Sequence, residues 1–465
     1  MPTGPLTIYN DVTIRGGLTA SGNITTSGNI TASGGSLYAN NIVYNTGNQF
    51  VSGVKIFGND NNALGVHVSV AGGSGNTASG DYSSIGGGVY NITSGIASSI
   101  GGGESNTASG DYSSIGGGYV NTANGGTSSI GGGYLNKANG AGSSIGGGQS
   151  NTASGGYSSI VGGYSNTANG NYSSIVGGYN NSVSGDYSSV GAGYNNDIYG
   201  SSSTIGGGYG NTVYANNSCI LNSKNNTIDK IYNPVLFDHE TSENNTIING
   251  SGNRTESTDS MILYGNRNAI TGISNIVLGG SNNRFEGYLP SLDIYQQKNC
   301  IINSNFNQVG AWDSLIIGGR NNKIFCHNTF LQNNISYNAI ISSQYSEIKE
   351  ESSSSEAKGI SKNTIIGGQR HQISGAVDSI IIGGYSGVSN HDSAMILCDS
   401  QIRPHLSKGE HTCSLDFASG VYLRLPSFTG SKNQAGNTGE LKVSGEYLYI
   451  ATGQDTWGRI QISSF

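Results

Sequence analysis

Charge is scarce in this chain. Only 11% of its 465 residues are charged, and 28 acids against 21 bases leave a net charge of −7. That balance offers no basic surface to a phosphate backbone, so nucleic acid is not expected as a partner. Five cysteines (Cys219, Cys300, Cys326, Cys398 and Cys413) form no CxxC or finger-like spacing. A disulfide framework and a zinc module are therefore set aside, and free buried thiols are expected. The seven histidines contain no HxH or HxxxH pair, so the expectation is no metal and no other cofactor. No apolar run has the length of a membrane-spanning helix, and Met1–Asn10 lacks a basic stretch. Neither membrane insertion nor a secretion leader is expected. Glycine-rich runs such as Ile85-Gly-Gly-Gly lack the Lys-Ser/Thr of a phosphate loop. Paired carboxylates for sugar cleavage are equally lacking: Asp238 with Glu240, and Glu350 with Glu351, read as solvated loop charges. No catalytic residue is assigned, and the chain is not expected to be an enzyme.

What is abundant is repetition, glycine (76) and tyrosine (27). An aliphatic residue recurs every 15 positions from Val70 to Ile220, through Ile85, Ile100, Ile115, Ile130, Ile145, Ile160 and Ile175. Six residues after each stands an asparagine, beginning Asn76, Asn91, Asn106 and Asn121 and ending at Asn226. A unit this short cannot bury a core alone, so the period predicts a solenoid in which each unit is one coil. Within a coil, Ile85 and Ala78 supply a large and a smaller inward side chain on two short strands. The glycine file Gly80, Gly95, Gly110 and onward suits a turn with positive φ. The asparagine suits a left-handed corner and can bond to its copies along the stack. Two tyrosine files are expected outside: Tyr82, Tyr112, Tyr157, Tyr172 and Tyr187, and Tyr119, Tyr134, Tyr164, Tyr179, Tyr194 and Tyr209. They read as stacked packing or as a sugar-binding stripe. One isoleucine and one alanine make a thin core. Several chains side by side are therefore expected, three by preference, with the Ile and Gly-Gly faces at a shared axis.

The pattern loosens but persists to Leu397, giving about twenty coils and, at the spacing of stacked strands, a rod of about 90–100 Å. Apolar pairs eight residues apart include Ile301 with Val309, Ile316 with Ile324 and Ile340 with Ile348, and Ile381 pairs with Val388, one residue short. Four insertions follow the second apolar position, near Asp229–Glu243, Glu286–Gln297, Phe325–Tyr337 and Lys349–Lys362. Entering the coil at one corner, they should emerge from one edge, where binding residues concentrate. Tyr232, Phe237, Tyr288, Tyr295, Phe325, Phe330 and Tyr337 are the candidate ligand-binding residues. The domain reading is 1–69, strand-rich and intertwined between chains, with a repeat of about seven residues; 70–228, regular β-roll; 229–397, degenerate roll with loops; and 398–465, a small antiparallel β tip.

Asn-Thr-Ala-Ser-Gly and Ser-Ser-Ile-Gly-Gly-Gly in these coils resemble the head repeats of trimeric autotransporter adhesins, closely over 70–228 and loosely over 229–397. The resemblance implies a trimeric parallel β-roll that adheres to cell surfaces. Asn48-Gln-Phe-Val-Ser-Gly-Val-Lys-Ile-Phe57 and the Gly-Asn-Ile-Thr repeats are similar to N-terminal stretches of bacteriophage tail fibres. Gly439 to Gly453 and Trp457-Gly-Arg-Ile resemble C-terminal pieces of phage structural proteins. Lacking a leader, a heptad stalk and a barrel anchor, the chain fits a phage fibre better than a secreted adhesin. The expectation is an all-β homotrimer in a virion, assembled in the host cytoplasm. Its N-terminus would dock on a baseplate or tail protein, and it would adhere to host surface glycan or protein. A secreted bacterial adhesin and a glycan-degrading tailspike are the alternatives.

Overall fold

A computed structural model describes residues 58–233, 243–285, 298–310, 313–325, 337–349 and 361–398 continuously, and elsewhere only the strands named below. The described residues contain no helix. They form a parallel β-solenoid of about 19 turns with coils of roughly 15 residues. Each coil puts one short strand into each of two long parallel ladders. In the first, Ser84–Ile85 pairs with Ser69–Val70 before it and Ser99–Ile100 after it. In the second, Thr77–Ala78 pairs with Asn62–Ala63 and Ile92–Thr93. A third, single-residue bridge links coils at positions such as Val89 with Glu104. The ladders reach one coil further at each end than the 70–397 span, taking in Lys55–Ile56 and Cys413–Asp416.

Five positions of a coil face inward: Asn76, Ala78, Gly80, Ser83 and Ile85 are all buried. Alternation along each strand dictates this, because neighbouring side chains point to opposite faces. The interior is therefore thicker than an Ile–Ala pair, and one chain closes it alone. Ile85, Ile100, Ile115, Ile130, Ile145, Ile160 and Ile175 are each 1–2% exposed within a single chain. The isoleucines thus lie inside the coil and not at an axis shared between chains. Each contributes about 2–3 kcal/mol by removal from water. Beyond residue 228 the core thickens further, since both inward positions are large in pairs such as Ile301/Val309 and Ile316/Ile324.

The asparagines form a buried ladder. Asn91 N–H donates to Asn76 Oδ1 (3.0 Å), while Asn91 Nδ2 donates to Gly87 O (3.0 Å) and Gly103 O (2.9 Å). The same link runs coil after coil past Asn226 to Asn253, Asn268, Asn283, Asn307 and Asn322, then through Ser346 to His371. It satisfies backbone groups at a corner that no water reaches.

Two expectations about corners change, and one about a strand. The asparagines are not the left-handed residues. The residue before each one is, as in Tyr90 (φ 54°), Ser105 (φ 56°) and Val120 (φ 55°). Gly80 and its copies have no positive φ; a Cβ there would lie 2.1 Å from Gly95 O. Close approach of stacked backbones excludes a side chain at this corner, and the left-handed residue is Tyr82, two positions on (φ 60°). Finally, Ser389 and not Val388 faces inward after Ile381, because Ile373 pairs with Ser389.

At the N-terminus, Leu6–Ile8, Ile24–Thr26 and Ile42–Tyr44 pair in parallel at an offset of 18 residues. Val12–Arg15 pairs with Ile30–Ser33 in the same sense. These pairings are formed within one chain. Three strand-and-turn units of about six residues make each turn, a shorter unit than the seven read from the sequence. At the C-terminus, Leu441–Ser444, Tyr447–Gly453 and Thr456–Gln461 form the expected antiparallel sheet.

Candidate functional site

The four insertions leave the rod at one corner. Each follows a strand of the second ladder (Thr227–Asp229, Arg284–Phe285, Lys323–Phe325 and Glu347–Lys349), and the chain then returns to the first ladder. In the regular coils this corner is the Gly80-Asp81-Tyr82 turn. The roots are three, two and one coils apart, so all four fall within about 29 Å along the axis. The first insertion carries a hairpin in which Ile231–Asn233 pairs with Asp238–Glu240, setting Tyr232 opposite His239. The second carries Tyr288–Leu289 against Ile294–Tyr295, setting Tyr288 opposite Tyr295.

Of the remaining candidates, Phe325 is half-buried at a loop root. Tyr337 is 63% exposed at the returning corner with φ 58°, in the same file as Tyr82. Phe237 and Phe330 lie outside the described residues, as do Glu350 and Glu351. The seven candidates are thus distributed over three loops of one edge, and the fold gathers the loop roots. At the root of the first loop, Arg254 bridges Asp229 (3.0 Å) and Glu256. The exposure of this network limits its contribution to well under about 1 kcal/mol per pair.

The tyrosine files are on the outside, as expected, and their geometry decides what they can do. Tyr164, Tyr179, Tyr194 and Tyr209 stack at centroid distances of 4.9–5.1 Å with interplanar angles of 8–11°. Lys224 caps the file above Tyr209 (5.7 Å). Tyr157, Tyr172 and Tyr187 form a second stack, and Tyr199 and Tyr214 a third that sequence reading missed. Stacking covers the ring faces and leaves edges and hydroxyls outward. A sugar ring packs on an aromatic face, so the interior of a file does not serve as a sugar platform. Isolated rings such as Tyr337 retain that face.

Burial raises the pKa of Asp197, and Tyr199 beside it is raised by burial and then by the Asp197 charge. Among the described residues Asp197 is the one carboxyl with a shifted pKa, where glycoside cleavage uses a pair. Burial also pushes the Cys219 and Cys300 thiols up, away from the reactive thiolate. Among the described residues no cluster of three potential metal ligands occurs, and no helix is long and apolar enough to cross a membrane. Compared with family models and with curated proteins, the sequence gives no match.

Proposed function

We propose that the chain is a structural, adhesive fibre of a phage tail or phage-like particle, a homotrimer whose roll is a stiff spacer and whose loop edge contacts the host cell surface. The observation that carries this reading is the exit of all four insertions from one corner of a rigid ladder, which concentrates four loops, three of them aromatic-bearing, on one strip. The ligand is surface polysaccharide, met by the loop aromatics and by the amide and hydroxyl groups around them. Avidity follows from repetition, since each further contact by an attached fibre is intramolecular. The N-terminal strands attach to the particle, and no chemistry on the ligand is required.

A glycan array probed with the full chain tests the assignment, together with a variant whose 230–242, 287–296, 326–336 and 350–360 segments are shortened. The full chain is expected to bind envelope polysaccharide and the shortened one to lose most of that binding with its β-sheet circular dichroism unchanged. Equal binding by both forms would move recognition away from the loop edge. Release of oligosaccharide by the pure protein would favour a glycan-degrading tailspike.

A further inference from the structure

The outward faces of the two ladders differ in a way that the adhesive reading does not use. On the second ladder the outward positions carry charge, as at Lys137, Asp197, Arg254, Arg284, Lys323 and Glu347. On the first ladder, the two outward columns flanking the inward aliphatic residue carry no charged residue from Ser69 to Leu397. In the regular coils these columns are serine (Ser84, Ser99, Ser114) and glycine (Gly86, Gly101, Gly116). They line a shallow groove of about 830 Å³ that ends where Val161 replaces the glycine. Val161 and Val176, in the same column, stand 64% and 58% exposed.

Past residue 220 the same columns turn apolar. The glycine column becomes Leu221, Ile248, Leu263, Leu278, Ile302 and Ile317, and remains Ile or Leu to Leu397. The serine column acquires Met261, Ile276, Leu315 and Ile380. The named residues are only half-buried in one chain, and Ile366 in the same column is 37% exposed. A strip of this length without charge is far from the mixed surface of a solitary chain.

We infer that this face is the seam along which copies of the chain pack in parallel and in the same register. The inference rests on the proposal of side-by-side chains; it puts the outward columns in place of the inward isoleucines and adds the alignment. Three observations choose a second copy as the occupant. The columns change from Ser/Gly to Ile/Leu along the axis, and a parallel in-register copy matches like with like at every coil. Both copies rise by the same spacing per coil, so the match persists for the whole rod. The strip is about 90 Å long and about 10 Å wide, or about 900 Å², against the roughly 800 Å² per partner of a stable interface. The glycines let backbones approach closely in the first half, and the aliphatic side chains interdigitate in the second.

Light scattering on the full chain and on the L263K/I317K double variant tests the seam. Both substituted side chains face outward, so the coil is expected to keep its β-sheet circular dichroism while the mass falls from a multiple of the chain to one chain. Q308K, on the opposite ladder, is expected to leave the mass unchanged. A monomeric wild type, or a double variant that stays assembled, overturns the inference. Should the double variant unfold, cross-linking of the native protein decides instead. Cys219 and Cys300 both stand in the serine column, and a short bismaleimide should join Cys219 to Cys219 and Cys300 to Cys300. Mixed Cys219–Cys300 links overturn in-register packing, as does an absence of links when a monofunctional maleimide labels both thiols. Neither readout involves cell binding, so a failed adhesion assay leaves the seam standing, and a monomer leaves adhesion to be judged separately.

Discussion

Replacing Asn121 with alanine probes the ladder that closes one corner of the coil. In the native coil, Asn121 Nδ2 donates to Asn106 Oδ1 (3.1 Å), Gly117 O (3.1 Å) and Gly133 O (2.9 Å), and its Oδ1 accepts the Asn136 N–H (3.0 Å). The alanine keeps the backbone bond from Asn121 N–H to Asn106 Oδ1 (2.9 Å). Gly133 O also retains a donor, the Tyr119 N–H (2.9 Å). What the variant orphans is the buried Asn136 N–H, at a cost of about 1–3 kcal/mol. Taking about 2 kcal/mol, local opening at Asn136 rises about 30-fold. Hydrogen–deuterium exchange read by mass spectrometry over 130–142 measures this directly. Asn121→Ser should do less harm, because a hydroxyl fills the same position at Ser346, where it accepts the His371 N–H (3.1 Å). Protection of Asn136 in the alanine variant within about twofold of the wild type would refute the ladder's structural role, since about 0.4 kcal/mol is too little for a lost buried bond.

Ser128 faces inward nearby, but its buried hydroxyl has no hydrogen-bond partner. Ser128→Ala should therefore be neutral or stabilising by up to about 1 kcal/mol in thermal denaturation. Gly125→Ala would put a Cβ 2.0 Å from Gly140 O and should destabilise severely, whereas Gly132→Ala meets nothing nearer than 3.8 Å and should fold normally. The contrast is read as soluble yield and melting temperature. Asp197 has a carboxyl pKa raised by burial, so the folded state prefers it protonated. The stabilisation is full below the unfolded pKa and is lost as pH rises through the folded value. Asp197→Asn should accordingly melt above the wild type at neutral pH, with the difference vanishing in acid.

Much of this architecture is legible in the residues. The 15-residue return of Ile85 and Asn76 announces the coil, and every spacing from Val70 to Ile220 is realised as a parallel rung. What escapes is the work done between coils. Left-handed backbone falls on Tyr82 and Tyr90, but also on Ala97, Thr127 and Leu135. Those residues have little intrinsic preference for it, and bonds between coils hold them there, such as Tyr90 N–H to Ser74 O (3.0 Å). Gly80 is a clear signal whose cause, a neighbouring carbonyl, has no trace in one dimension. The triplets Cys300-Ile-Ile, Leu315-Ile-Ile and Ile380-Ile-Ile read as a single apolar mark, yet only the middle residue enters the core. Their flanks form the outward strip, which strand alternation would have revealed. The loop edge was legible because insertion points are counted along the chain. The stacking that removes ring faces from the tyrosine files was not.

The account stands on stacked, in-line coils, and a distance between two residues of one file tests that most directly. Spin labels at Tyr82→Cys and Tyr187→Cys, in a background without the native cysteines and diluted with unlabelled chain, lie seven coils apart. Pulsed dipolar spectroscopy is expected to give one narrow distribution centred near about 34 Å. A broad distribution, or a centre displaced by more than about two coils, would contradict the solenoid itself.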